Sequence, residues 1–168
     1  MNRISTRSRS IAGVLTLAMA FVAASAVPAR ADITAFLGLS PTPDNHAVKG
    51  FGVGLGLLIV GFEFEYANLS EDDFEGLPGL KTYAGNVLLQ TPIEIAGTQF
   101  YGTVGAEGYR ETLGALEETH FGTNIGGGAK IKLLGPLRVR LDYRIFKLQG
   151  SPVHDVYQRF YVGANLKF

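Results

Sequence analysis

From Ile33 to Phe168 apolar and polar residues alternate with a period of two, the signature of strands whose two faces meet different surroundings. The pattern is clearest over 137–148. There Leu137, Val139, Leu141, Tyr143 and Ile145 share one face, and Arg138, Arg140, Asp142, Arg144 and Phe146 the other. It returns at the carboxyl end, where Phe160, Val162, Ala164, Leu166 and Phe168 oppose Arg159, Asn165 and Lys167. Six further segments read as strands, at about 33–39, 51–58, 61–69, 81–90, 99–109 and 121–134. In the second, Phe51, Val53, Leu55 and Leu57 oppose Gly52, Gly54 and Gly56; in the third, Phe62, Phe64 and Tyr66 oppose Glu63 and Glu65.

The connections read as two classes. Turn-rich 41–45, acidic 70–79, a second acidic stretch with Glu111, Glu117 and Glu118, and 149–155 follow the odd-numbered strands. Shorter joints, ending with Gly135-Pro136, follow the even-numbered ones. Long loops at one rim and short turns at the other predict an all-β, antiparallel, up-and-down barrel of eight strands. An even strand count also places both ends of the barrel on the short-turn side.

The residues ahead of this pattern read differently. Arg3, Arg7 and Arg9 precede an apolar run from Ile11 to Ala26, and Ala29-Arg30-Ala31 offers small residues where a signal peptidase cuts. The run is too short for a membrane helix and ends at Pro28. The expected organisation is a cleaved signal peptide at 1–31 and one barrel domain at 32–168. Of 15 basic and 15 acidic residues, four arginines and no acid fall in the leader, so the remainder is net acidic by four. That balance argues against nucleic acid as a partner. With no cysteine, lipid attachment at an amino-terminal thiol, disulfides and thiolate metal sites are excluded.

Period two alone does not say which face is inside. A soluble barrel of the lipocalin type buries its apolar face around a ligand; a membrane barrel inverts this. Here the charged face carries Glu63, Glu65, Glu107, Lys130, Lys132, Arg138, Arg140, Asp142, Arg144 and Lys167, nearly balanced in sign and set among glycines. Small residues beside long charged ones suit a narrow lumen packed with ion pairs. The apolar face supplies Tyr83, Tyr143, Phe160 and Phe168 for interfacial belts, and a chain ending on Phe suits a membrane boundary better than water.

On these features the chain resembles the small eight-stranded outer-membrane barrels of the OmpA, OmpX and opacity-protein kind. The resemblance covers about 33–168 and rests on Gly61-Phe-Glu-Phe-Glu-Tyr66, Asn124-Ile-Gly-Gly-Gly-Ala-Lys130, Arg140-Leu-Asp-Tyr-Arg144 and Phe160-Tyr-Val-Gly-Ala-Asn-Leu-Lys-Phe168. It implies residence in the outer membrane, contact with its lipids and lipopolysaccharide, and handling by barrel-assembly machinery through Phe160, Tyr161 and Phe168. On this reading the chain is expected to depart from OmpA in lacking a peptidoglycan-binding domain after the barrel, and its loops are short beside those of many adhesins.

The expected function is therefore structural, or one of surface interaction in the envelope. Glu63, Glu65, Glu107, Lys130, Arg138, Arg140, Asp142 and Arg144 are expected to form a structural charge network in the lumen. The alternatives are a narrow pore for ions or small solutes and, third, a soluble lipocalin-like binding barrel. No catalytic, cofactor or metal site is assigned. Glu63 and Glu65 stand at alternate positions facing basic partners, which does not suggest acid–base catalysis. No His-x-Ser pair of a membrane-facing deacylase occurs. His46 and His154 read as solvated loop residues, and His120 as the start of the sixth strand. Glu71, Asp72 and Asp73 are a candidate cation bridge to lipopolysaccharide phosphates, with a solvated acidic loop the plainer account. The glycine runs at 50–56 and 126–128 match neither dinucleotide nor phosphate-loop fingerprints and suit a curved wall.

Overall fold

The computed structural model describes residues 30–42, 45–69, 79–113, 116–150 and 155–168, with the backbone alone at 111–113 and 116–119. Eight strands follow one another: β1 (Arg30–Thr42), β2 (His46–Leu57), β3 (Val60–Leu69), β4 (Gly79–Gln90), β5 (Thr98–Leu113), β6 (Leu116–Leu134), β7 (Leu137–Leu148) and β8 (Val156–Lys167). Each pairs antiparallel with its neighbour, and β8 returns to β1, so the sheet closes without a free edge. Closure runs from Asp32↔Lys167 to Leu39↔Phe160, then slips before Thr42↔Gln158. Hydroxyls replace ladder bonds at the slip: Ser40 Oγ donates to the Gln158 carbonyl at 2.8 Å, and the Gln158 amide donates to Thr42 Oγ1 at 2.9 Å.

The strand order and faces match the sequence pattern, but the loop pattern does not hold. One rim, which carries the barrel's two chain ends, is turned by 58–59, 91–97 and 135–136; the far rim by 43–45, 70–78, 114–115 and 149–155. The β4–β5 connection at the terminal rim is thus longer than two of the far-rim connections. The stretch around Glu111, Glu117 and Glu118 is not a loop either, because β5 and β6 continue through it as a paired ribbon, Glu111↔Glu118 and Thr112↔Glu117. Backbone pairing, once zipped, absorbs polar residues that look like loop. The two-residue turns are tight: Gly135 has φ 55°, and Leu58 has φ 47°, a left-handed conformation that strains a side chain.

The faces follow the membrane arrangement. Large apolar side chains point outward all round the wall, among them Leu37, Phe62, Phe64, Phe100, Val104, Ile125 and Val162. The expected belt residues Tyr83, Tyr143, Phe160 and Phe168 are exposed as well. Inside lie Glu63, Glu65, Arg140, Asp142 and Arg144. This orientation overturns the lipocalin-like alternative, whose apolar face would line the lumen. Lys132 keeps the parity of Lys130 and pairs with Arg138, but it is exposed at the terminal rim, beside the register shift between Lys132 and Leu134.

Glycine makes the lumen possible. A Cβ on inward-facing Gly128 would strike the Leu141 carbonyl and sit 2.6 Å from the Tyr101 hydroxyl, and one on Gly105 would strike Asn86. Bulky polar side chains occupy the space these positions leave.

Candidate functional site: a lumen of two halves

The lumen is filled, and its filling changes character along the axis. In the half nearer the terminal rim the inward side chains are mainly charged and polar. Arg140, with 0% exposure, reaches across from β7 to grip Glu63 of β3: Nη1 donates to Oε2, and Nη2 to Oε1 at 3.1 Å. Its Nη2 also donates to Asp142 at 3.1 Å, and its Nε to the Tyr101 hydroxyl at 2.7 Å. Tyr101 in turn donates to Asp142. Arg144 completes the cluster through Asp142 Oδ1 at 2.9 Å, Glu63 Oε1 at 2.9 Å and Glu65 Oε2 at 3.3 Å.

Buried charges persist only when paired and hydrogen-bonded, and this forked geometry is what arginine supplies and lysine does not. The spacing explains the strand pattern. Arg140, Asp142 and Arg144 alternate on one strand so that a carboxylate stands between two guanidinium groups, while Glu63 and Glu65 do the same from the facing wall.

Smaller pairs flank the cluster. Toward the terminal rim Lys130 pairs with Asp32, and Glu94 takes both Arg138 and, at 3.2 Å, Lys167. Glu94 lies in the β4–β5 connection. Partial burial pushes its carboxyl up, but the Lys167 hydrogen bond and the charges of Arg138, Lys167 and Lys132 outweigh that and hold it below the ordinary carboxylate range. Toward the far rim Arg159 pairs with Glu65 and lies over the ring of Phe146, 4.5 Å from its centroid.

Beyond Arg159 the lumen turns apolar. Phe36, Val48, Leu69, Leu80, Phe146 and Leu148 pack with Tyr109 and Tyr157 into one cluster across the far half of the barrel. Phe36 stacks on Tyr161, centroids 4.1 Å apart and planes at 16°, which joins the cluster to the charged half. Glu107 stands in this region. Neither of its buried carboxylate oxygens has a hydrogen-bond partner among the described residues.

All eight lumen residues expected from the sequence are buried, and seven join ion pairs; Glu107 is the exception. Asp32, Glu94, Tyr101 and Arg159 belong to the network but were not in the expected set. Arg159 and Asp32 lie at inward register positions, a signal available from parity. Parity also places Tyr101 inward with Gln99 and Glu107, but nothing local marks it as a hydrogen-bond bridge, and Glu94 lies outside any strand. The carboxyl-terminal trio divides: Phe160 and Phe168 face outward, whereas Tyr161 is fully buried in the lumen. His46 is not a solvated loop residue but the buried first residue of β2, pairing with Ser40. His120 lies in β6 beside the Tyr109 ring. Glu71, Asp72, Asp73 and His154 lie outside the described residues.

Solved structures share this architecture at low identity. The N-terminal β-barrel domain of Pseudomonas aeruginosa OprF matches with TM-score 0.66 and 13% identity, over 83% of this chain and 97% of that one. A major outer membrane protein from Thermus thermophilus matches at 0.64 and 11%, over 83% and 99%. Neisserial surface protein A matches at 0.59 and 11%, over 83% and 94%. Among curated proteins none matches the chain. The sequence itself fits the family model described as an outer membrane protein β-barrel domain over residues 11–168. An eight-stranded closed barrel, apolar outside and charged within, thus belongs to the outer membrane protein β-barrel family and resides in the outer membrane.

Proposed function

We propose that this protein is a closed barrel that serves the envelope through its wall and rims, as a structural element or surface-interaction module rather than a pore. The observation that carries this reading is the doubly filled lumen. An eight-stranded barrel has an interior only wide enough for side chains. Here a solute would have to break the Arg140–Glu63–Asp142–Arg144 cluster and then part the Phe36–Phe146–Leu148 cluster. Its partners on this reading are outer-membrane lipids and lipopolysaccharide at the wall, and barrel-assembly machinery through outward Phe160 and Phe168.

The leader at 1–31 is removed on export. Cleavage after Ala31 would take the first two residues of β1, which pair with Gly56 and Leu55. The barrel would then close from Asp32. Planar-bilayer recording tests the main claim: refolded protein should give no conductance steps. Reproducible unitary steps that vanish in a Phe146→Trp variant would establish the pore instead.

A further inference from the structure

On the outer surface of β2–β5, near the far rim, the register lines up two rows. The lower row is aromatic. Phe51, Tyr66 and Tyr83 are direct cross-strand partners, with ring centroids 5.7 and 5.1 Å apart. Two residues nearer the rim the row becomes basic: Lys49↔Asn68↔Lys81↔Arg110. Lys49, Lys81 and Arg110 are exposed.

Every outward position of β2–β4 nearer the terminal rim than these rows is apolar or glycine, and no outward position of those strands holds an acid. The aromatic row is thus the upper edge of the lipid-facing band, where tyrosines settle at headgroup depth. The lysines stand directly above it. Lys49 and Lys81 are two strands apart, about 10 Å, the spacing of two cations astride one headgroup.

We propose that this face is a binding site for a phosphate-bearing lipid of the outer leaflet, with acyl chains along Phe51, Tyr66 and Tyr83 and phosphate held by Lys49 and Lys81. Charge complementarity selects the occupant. The face needs an anion and a hydrocarbon body together, and the headgroup boundary provides both. On the opposite wall, among the described residues, outward Lys147 stands without a second cation beside it, its register partners being Thr123 and Val156, so the site is one-sided. This deepens the lipid contact of the proposed function without depending on whether the lumen conducts, so bilayer recording can fail that reading while leaving this one intact.

The competing occupant is the acidic segment at 71–75, which joins β3 to β4. The test uses refolded protein in phosphatidylcholine vesicles doped with diphosphorylated lipid A or the same lipid stripped of phosphate. Native mass spectrometry reads the retained lipid, and urea titration reads stability. The Lys49→Gln/Lys81→Gln variant should bind the phosphorylated lipid about twenty-fivefold more weakly, each cation near an anionic surface being worth about fivefold. Lys49→Arg/Lys81→Arg should keep binding, Lys147→Gln should be unchanged, and salt should weaken the wild-type association. Equal retention of both lipids by the wild type would overturn the proposal. So would a loss of stability in phosphate-free vesicles on Lys→Gln substitution, which would assign the lysines to the acidic segment.

Discussion

The two halves of the lumen fill the same cross-section by opposite chemistry. Near the terminal rim, guanidinium and carboxylate groups interlock at 0–1% side-chain exposure; near the far rim, aliphatic and aromatic side chains pack as in a soluble core. The difference teaches how each half tolerates change. A dispersion-packed region loses stability by the volume removed, whereas a charge cluster fails when one member goes and the rest are left uncompensated. The charged half is therefore specified by partners, and the apolar half by volume.

The largest expected effect follows from that asymmetry. Arg140→Leu leaves Glu63 and Asp142 each with Arg144 as their remaining guanidinium partner, one buried negative charge in excess, and should cost about 3–5 kcal/mol. Removing Glu63 as well should recover part of the loss, because the cluster again balances. Urea titration in lipid vesicles measures both, and failure of the double variant to recover would mean that packing rather than charge holds this half. Leu148→Ala in the apolar half should cost about 2–5 kcal/mol. No charge deletion should rescue it, and the intact ionic cluster should keep the variant non-conducting.

Substitution on the other side of the same wall separates lumen from lipid. Leu141→Arg should cost about 2–4 kcal/mol in bilayers, since that position faces hydrocarbon between two inward charges. Glu107 sharpens the comparison by sign. Its carboxyl makes no hydrogen bond among the described residues and borders Leu69, Leu80, Phe146 and Leu148, so Glu107→Leu should be neutral or stabilise by about 1–3 kcal/mol, opposite to any change at Glu63. A marked loss would show that Glu107 belongs functionally to the charged half.

The smallest effect is at the terminal rim. Because Glu94 is held below its ordinary pKa, its contribution is present above the unfolded-state value and is lost as pH falls through the lower folded-state value. Amide exchange in 91–97 should quicken over that acid window in the wild type. In Glu94→Gln it should already be fast and lack that step.

Much of this was legible beforehand. Strand count, order and parity followed from period two, because each residue of a closed barrel has only an inside or an outside to face. Parity therefore placed Phe146 on the charged face even though it is apolar, and inside it lies. Closing the sheet fixed the rest, since strand tilt and stagger decide which inward residues of distant strands meet. No local signal pairs Arg140 with Glu63 across the barrel, recruits Tyr101 as a bridge, or gathers Phe36 and Phe146 at one end while Asp32 and Lys130 meet at the other. Nor does composition show that β5 and β6 run on through acidic residues, because that depends on backbone partners brought alongside. Alternation along the chain determined the wall; only three-dimensional closure, which converts position along a tilted strand into height, decided what fills it and where charge gives way to hydrocarbon.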